Sequence, residues 1–269
     1  MQPGNEVVVR AILFDLDGVV YQGERVIQGA LETLRWCNAR GIPHLFVTNT
    51  TSKPRRALVE RLSDLGLSVS AEDIFAPPVA ARDYLSGRDA EPLALFVRDA
   101  TREDFEGLAV LDDAAEAGAG SVVIGDIGEA WSFTTLNRAF RLLMSEPRPI
   151  LLALGMSRYA QGRDGLVLDV APFVKALEHA SDAEAVVMGK PAAAFFEAAV
   201  RKLGVSSCET VMIGDDIRGD VAGAQNAGLR GVLVRTGKFR ARDLDGDIRP
   251  DAVLDSVAQL PQWWETHDC

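Results

Sequence analysis

Short apolar runs alternate with stretches of helical periodicity along the chain, the pattern of an α/β fold on a parallel sheet. Val7-Val8-Val9 and Ala11-Ile12-Leu13-Phe14 form a nearly continuous apolar run, as expected of a strand covered on both faces, and it stops at Asp15. Ala30, Leu34 and Cys37 then share one helical stripe over 29–40, with Gly41 at its end. His44–Val47 reads as a second strand that stops at Thr48-Asn49. A helix follows, with Pro54 in its first turn, Leu58, Leu62 and Leu65 on one face, and Gly66 closing it. The middle of the chain gives strands at 93–97, Ser121–Ile124 and 150–154 and a helix over 131–144. Arg163-Asp164-Gly165 reads as a turn between Tyr159 and a strand over 166–168. Beyond it lie a strand at 185–188, a helix over 191–203 closed by Gly204, and a strand at 210–213 ending in Gly214-Asp215-Asp216. A helix over 217–227 and a last strand at 231–234 complete the pattern.

The two outer parts read as halves of one sheet and the middle as an insertion, with joints at Pro77-Pro78 and Ser181-Asp182. The expected organisation is a discontinuous core, 1–78 and 183–269, with an inserted domain at 79–182. A length of 269 residues suits one to two domains. With 48% hydrophobic and 25% charged residues, the chain is neither disordered, collagenous nor a disulfide scaffold.

Charge narrows the partners. Asp and Glu number 39 against 28 Lys and Arg, a net charge of -11, which repels nucleic acid and anionic lipid at long range. The insert is the more acidic part, with 17 acidic residues against 10 basic ones. Lys53-Pro54-Arg55-Arg56, the nearest approach to a basic cluster, reads as a solvated helix start. No apolar run reaches the ~18–20 residues that span a bilayer, and the first residues lack the features of a signal peptide. Three widely spaced cysteines without a CxxC fit a reducing cytoplasm, and Cys37 and Cys208 read as core or structural thiols. A cytoplasmic protein with no nucleic-acid or membrane partner is therefore expected.

The sharpest candidate chemistry is Asp15-Leu16-Asp17-Gly18, directly after a buried strand. In open parallel sheets, ligands bind beyond the carboxyl ends of strands, so both carboxylates can face one crevice. An EF-hand loop counted from Asp15 would need Glu at its twelfth position, where Val26 stands. No GxGxxG follows the strand, which removes a dinucleotide site. Thr48-Asn49 offers a hydroxyl and an amide for an anionic oxygen, and Lys190-Pro191 places a fixed positive charge before a helix. Asp215, Asp216 and Asp220 end a third strand. Beside Asp15 and Asp17 they would repel one another strongly, and a divalent cation such as Mg²⁺ relieves that repulsion.

The order DxD, Thr, Lys, GDDxxxD, each at an expected strand or helix end, resembles the haloacid dehalogenase superfamily of phosphotransferases. The stretches VTNTTSKPR, DGLVLDVAPFVKALEHA, VMGKP, MIGDDIRGDVAGAQNAG and VRTGKF carry the likeness over nearly the whole chain. The resemblance implies a Rossmann-like parallel-sheet core with an inserted α/β cap of the C2 type, between the Thr and Lys motifs, where 141 positions separate Asn49 from Lys190. It implies Asp15 as nucleophile and Asp17 as general acid and base. Mg²⁺ would be held by Asp15, the Asp17 carbonyl and Asp215, and phosphate by Thr48, Asn49 and Lys190. Asp216 becomes a water-mediated ligand or an orienter of Lys190, and Asp220 a hydrogen-bonding support. Thr50 stands where many capped members carry a second Asn, which weakens a link to the nucleotide- and sugar-phosphate branches.

The implied activity is Mg²⁺-dependent hydrolysis of small phosphorylated molecules, pyrophosphate and phospho-amino acids included. A phosphomutase or other phosphotransferase, or a silent regulatory binding protein, are the alternatives. Mutases of the superfamily usually carry the cap between the first two motifs, and here only 30 residues separate Asp17 from Thr48. Arg158, Tyr159 and Asp164, around the expected hairpin, are the candidate substrate-selecting cap residues. Trp131 and Phe133 read as cap core, Trp263-Trp264 as a packing or dimer pair, and His44, His179 and His267 as bland. A homodimer through the cap is the expected assembly.

Overall fold

The apolar run near the N-terminus becomes an interior strand of a six-stranded sheet, Ala11–Asp15, with all five residues buried. The computed structural model describes residues 8–162 and 164–266, so Arg163, His267 and Cys269 lie outside the described residues. The strand begins at Ala11 rather than among the valines. Thr210, the first residue of the neighbouring strand, pairs with Ala11, and Val8 and Val9 have no strand partner. The chain divides into two units, Met1–Thr48 with Leu58–Phe75 and Lys190–Cys269, and Asn49–Ala57 with Ala76–Gly189.

In the first unit every strand pairing of the large sheet is parallel, and the spatial order is Ala252–Leu254, Arg230–Val234, Thr210–Gly214, Ala11–Asp15, His44–Val47, Ile74–Phe75. From Ala11–Asp15 the chain first builds toward Ile74–Phe75, then returns to the other side of the starting strand. The order therefore reverses between Ala11–Asp15 and Thr210–Gly214, and a crevice opens beyond the carboxyl ends at such a point. Two strands escape the hydrophobic pattern. Ile74–Phe75 has two residues, and Ala252–Leu254 has three behind the polar loop Arg249-Pro250-Asp251, so the sheet does not end at residue 234. One face is filled by Ile12, Phe14, Phe46 and Ile213 with the helix Ala30–Arg40. Trp263 and Trp264 are buried in that same cluster, Trp264 edge-on to Trp36 at 6.0 Å, so they are a packing pair.

The second unit carries a four-stranded parallel sheet in strictly sequential order, Leu93–Phe96, Ser121–Ile124, Ile150–Ala153, Val186–Val187. The helices Phe133–Leu143 and Val170–Ser181 pack on it through Ala139, Leu142, Val174 and Leu177. A separate antiparallel hairpin joins Tyr159–Gly162 to Gly165–Leu168. Two expectations change here. Trp131 lies ahead of its helix, stacked on Phe173 at 4.6 Å and Phe96 at 6.0 Å, whereas Phe133 follows the Ser132 cap and is 84% exposed. Arg55 is not a solvated helix start. Its Nε donates to Asp104 Oδ1 at 3.0 Å, and Asp104 is buried at 3% exposure. No helix among the described residues is long and apolar enough to cross a membrane.

The cysteines separate in reactivity. Cys37 is buried, and burial pushes its thiol up to about 12, while Cys208 is exposed rather than a core thiol. Only the thiolate reacts, so a raised value leaves Cys37 roughly ten-thousandfold short of thiolate at pH 8. Treating the native protein with iodoacetamide at pH 8 is expected to modify Cys208 and spare Cys37, with both modified in urea, as read by peptide mass mapping.

Candidate active site

Three sequence-distant segments meet at the reversal in strand order. Asp15 ends its strand, Lys190 opens the last part of the first unit, and Asp215 and Asp220 follow Thr210–Gly214. The Lys190 ammonium lies 2.7 Å from Asp15 Oδ1 and 2.6 Å from Asp220 Oδ1. All three groups are buried. Carboxylate oxygens of Asp15, Asp215 and Asp220 lie within 4.8 Å of one another.

The loop after Thr210–Gly214 is shaped by its own carboxylates. Asp216 accepts hydrogen bonds from Arg218 N at 3.0 Å and Gly219 N at 2.9 Å, and Asp220 Oδ2 accepts from Asp216 N at 3.1 Å. The next residues form a wide turn, Ile217–Ala222, in which Val221 N reaches back five residues to Asp216 O, instead of the continuous helix that the periodicity suggests. A regular α-helix follows only over Gly223–Asn226.

Burial works against every charge here. It raises the carboxyls of Asp15 and Asp220, with Lys190 opposing it in both cases. Burial also works against the Lys190 ammonium, yet Asp15 and Asp220 outweigh it and hold Lys190 protonated beyond the usual lysine range. Burial pushes Asp215 up to about 6, against the Lys238 amide bond. Asp216 is also desolvated, but the amides of Gly219 and Arg218 and the Lys238 charge prevail and hold its carboxyl below the usual range.

The sequence-selected residues divide into those brought together and those kept apart. Thr48 is buried one residue past Val47, the register partner of Asp15, so its strand end adjoins that of the nucleophile candidate. Asp17 lies in the loop beyond Asp15, exposed, with its carboxylate outside the cluster of three. Asn49 belongs to the second unit. Arg158 and Tyr159 line a cavity of about 310 Å³ with Leu168 and Lys175. Asp164 lines a different one of about 1040 Å³, so these three cap residues do not converge.

A fourth strand end adds a segment that the sequence reading left unassigned to the site. After Arg230–Val234, Thr236 Oγ1 donates to Gly18 O, and Lys238 N donates to Asp215 Oδ2 at 2.6 Å. Gly237, at φ +63°, passes so close that a Cβ there would lie 1.9 Å from Asp215 Oδ2 and 2.6 Å from Gly18 Cα. Lys238 Nζ lies 3.7 Å from Asp216 Oδ2. In the sequence the segment is a Thr-Gly-Lys one residue past the strand Arg230–Val234, a pattern that by itself reads as a turn.

The donor set fits a hard divalent cation. Asp220 commits one oxygen to Lys190 and the other to Asp216 N, whereas Asp215 Oδ1 is buried with no hydrogen-bond partner. A buried, unpartnered carboxylate oxygen on a member of this cluster is costly as an anion, and such a donor set suits Mg²⁺.

Comparisons with known proteins cover the same segments. Residues 12–110 match the family described as haloacid dehalogenase-like hydrolase, and residues 187–260 match one described as HAD-hydrolase-like. The chain is 44% identical over 246 residues to haloacid dehalogenase-like hydrolase domain-containing protein 2 of Bos taurus, covering 91% of each. It is 38% identical over 256 residues to phospholysine phosphohistidine inorganic pyrophosphate phosphatase of Homo sapiens, covering 93% of this chain and 92% of that protein. Among solved structures, p-nitrophenyl phosphatase from Archaeoglobus fulgidus matches with a TM-score of 0.83 at 25% identity, over 95% of this chain and 99% of that one. Both the parallel-sheet core and the inserted α/β unit are part of that likeness. With relatives at this level of identity along nine-tenths of its length, the chain belongs to the haloacid dehalogenase-like hydrolase family.

Proposed function

We propose that the protein is a Mg²⁺-dependent phosphatase that hydrolyses small phosphorylated substrates through an aspartyl-phosphate on Asp15. The observation that carries the reading is the buried group of Asp15, Asp215 and Asp220 around one lysine, with Asp215 Oδ1 left without a partner. The relatives support the substrate class: one is named for phospholysine, phosphohistidine and inorganic pyrophosphate, another for p-nitrophenyl phosphate.

Asp15 is the nucleophile. Lys190 holds its Oδ1 at 2.7 Å, which fixes the carboxylate's orientation. An Asp15 oxygen forms a bond to phosphorus as the bond to the leaving oxygen breaks, splitting one difficult displacement into two easier ones. Asp17, exposed in the same loop, gives its proton to the leaving oxygen. Asp17 then takes a proton from the attacking water. The water oxygen bonds to phosphorus, the Asp15–phosphorus bond breaks, and inorganic phosphate and free Asp15 result. Thr48, with Asn49 next to it in the chain, binds phosphoryl oxygens, and Lys190 contributes positive charge. Asp15, Asp215 and the Asp17 carbonyl would hold Mg²⁺, which offsets the repulsion between phosphate and carboxylate.

Hydrolysis of p-nitrophenyl phosphate and of pyrophosphate is expected with Mg²⁺ and is lost on chelation. Asp15→Asn is expected to lower kcat by ~10³-fold or more, as for loss of a covalent nucleophile. Mg²⁺-dependent turnover that survives in Asp15→Asn would overturn the aspartyl-phosphate. No turnover on any small phosphate would overturn the phosphatase.

A stability measurement tests the metal site separately. Asp215 has a folded-state value raised above that of the unfolded chain, so its charged form weakens the metal-free fold as pH rises through about 6. At pH 7.5, Asp215→Asn is therefore expected to be at least as stable as the parent without metal. Saturating Mg²⁺, at a hundred times Kd, should add about 2.7 kcal/mol to the parent and raise its Tm, with no shift in the variant. An equal shift in both proteins would remove Asp215 from the site.

A further inference from the structure

The charge at the crevice does not close with the residues considered so far. Asp15, Asp215, Asp216 and Asp220 bring four carboxylates to it. Lys190 and a divalent cation bring three positive charges. With the four carboxylates ionised, one negative charge remains in excess before a phosphoryl dianion arrives. Lys190 is already shared between Asp15 and Asp220 at 2.7 and 2.6 Å. A further cation beside the crevice would favour the binding of a phosphoryl dianion.

Lys238 has the position and the freedom to supply it. Its base is fixed, since its amide donates to Asp215 Oδ2 at 2.6 Å, and Gly237 before it lies against Gly18. Its tip is free. The side chain is 68% exposed, and the ammonium stands 3.7 Å from Asp216 Oδ2, longer than a hydrogen bond. Two backbone amides hold Asp216 Oδ1, so that carboxylate keeps partners when the ammonium moves away from Oδ2. The bond from its amide to Asp215 and the 3.7 Å approach of its ammonium to Asp216 place both ends of the residue beside the carboxylate cluster.

We propose that Lys238 is a phosphoryl-binding residue whose ammonium leaves Asp216 to pair with a phosphoryl oxygen of the substrate and returns when inorganic phosphate departs. The proposal rests on the phosphatase reading above and adds to it a mobile cation beside the fixed Lys190. A lysine suits this task, being a compact charge on a flexible stem.

The test uses the full chain with Mg²⁺ and compares Lys238→Met and Lys238→Arg with the parent. Two quantities are measured: the Kd of inorganic phosphate by calorimetry, and KM and kcat on p-nitrophenyl phosphate. Loss of one charge-assisted contact is expected to raise phosphate Kd and KM in Lys238→Met roughly ten- to hundredfold, with a smaller change in kcat. Lys238→Arg keeps the charge and should restore phosphate Kd to within about threefold of the parent. The Mg²⁺ affinity measured without phosphate should stay near that of the parent, because the backbone amide to Asp215 survives both changes. An unchanged phosphate Kd in Lys238→Met overturns the proposal. So does an equal loss in both variants accompanied by weaker Mg²⁺ binding, which marks a structural role. A parent that binds phosphate yet hydrolyses nothing sinks the phosphatase reading alone, and the Kd comparison still decides Lys238.

Discussion

Lys190 lies buried between Asp15 and Asp220, at 2.7 and 2.6 Å, and the rest of the site depends on that arrangement. The partners come from segments 175 positions apart in the case of Asp15, so this one ammonium ties the first strand end to the last third of the chain. Taking three such groups out of water is expensive, and removing one partner of a buried ion pair typically costs ~3–5 kcal/mol because the others are left uncompensated. The arrangement is therefore all or nothing. With Lys190 in place, Asp220 can turn its second oxygen to the Asp216 amide and start the wide turn at Ile217–Ala222. That turn directs Asp216 outward to its own amides and toward Lys238.

The gathering is unfavourable for the fold taken alone. Asp215 has a buried oxygen with no partner, and burial lifts its carboxyl to about 6. A fold selected for stability alone would replace such a group by an apolar one. Local violations of satisfied burial are expected where function requires them, with the cost met by consistent packing elsewhere. Here the packing is the sheet itself, whose interior strand Ala11–Asp15 is buried at every position.

What the sequence revealed follows from which constraints are local. Apolar runs end where strands end, so Asp15, Thr48 and Asp215 could be placed at carboxyl ends from the pattern alone, and a parallel sheet sends those ends to one side. Lys190 was legible for the same reason, standing just before a helix. Lys238 was not, because Thr-Gly-Lys after a strand reads as an ordinary turn, and only the approach of Gly237 to Gly18 brings that segment to the site. Arg55 misled, since its partner Asp104 is 49 positions away and nothing near Arg55 announces a buried carboxylate. The cap was the least legible part. Arg158 and Tyr159 line one cavity and Asp164 another, and spacing along the chain does not encode which cavity a residue lines. Phe133 shows the same limit, because helical periodicity does not reveal which side of a first turn faces water.

The chain passes between its two units at four peptides, and two of them are Thr48-Asn49 and Gly189-Lys190. Each joins a proposed phosphate-binding residue of the core to the inserted unit. Within that unit the two entering residues are neighbours. A Cβ on Gly189 would lie 2.8 Å from Leu154 O and 3.1 Å from Asn49 Oδ1, so a side chain there would displace one or the other. The segment after Asn49 is held by buried groups, with Thr101 Oγ1 donating to Thr51 O at 3.0 Å and Arg55 paired to Asp104. Asn49, Thr50, Thr51 and Ser52 also form part of the wall of the 1040 Å³ cavity. One planar peptide, with the soft dihedrals of Thr48 and Asn49 on either side, separates that wall from Thr48. The wall of that cavity and the buried Thr48 are therefore neighbours in the chain, a closeness that the spacing of the hairpin residues does not reveal.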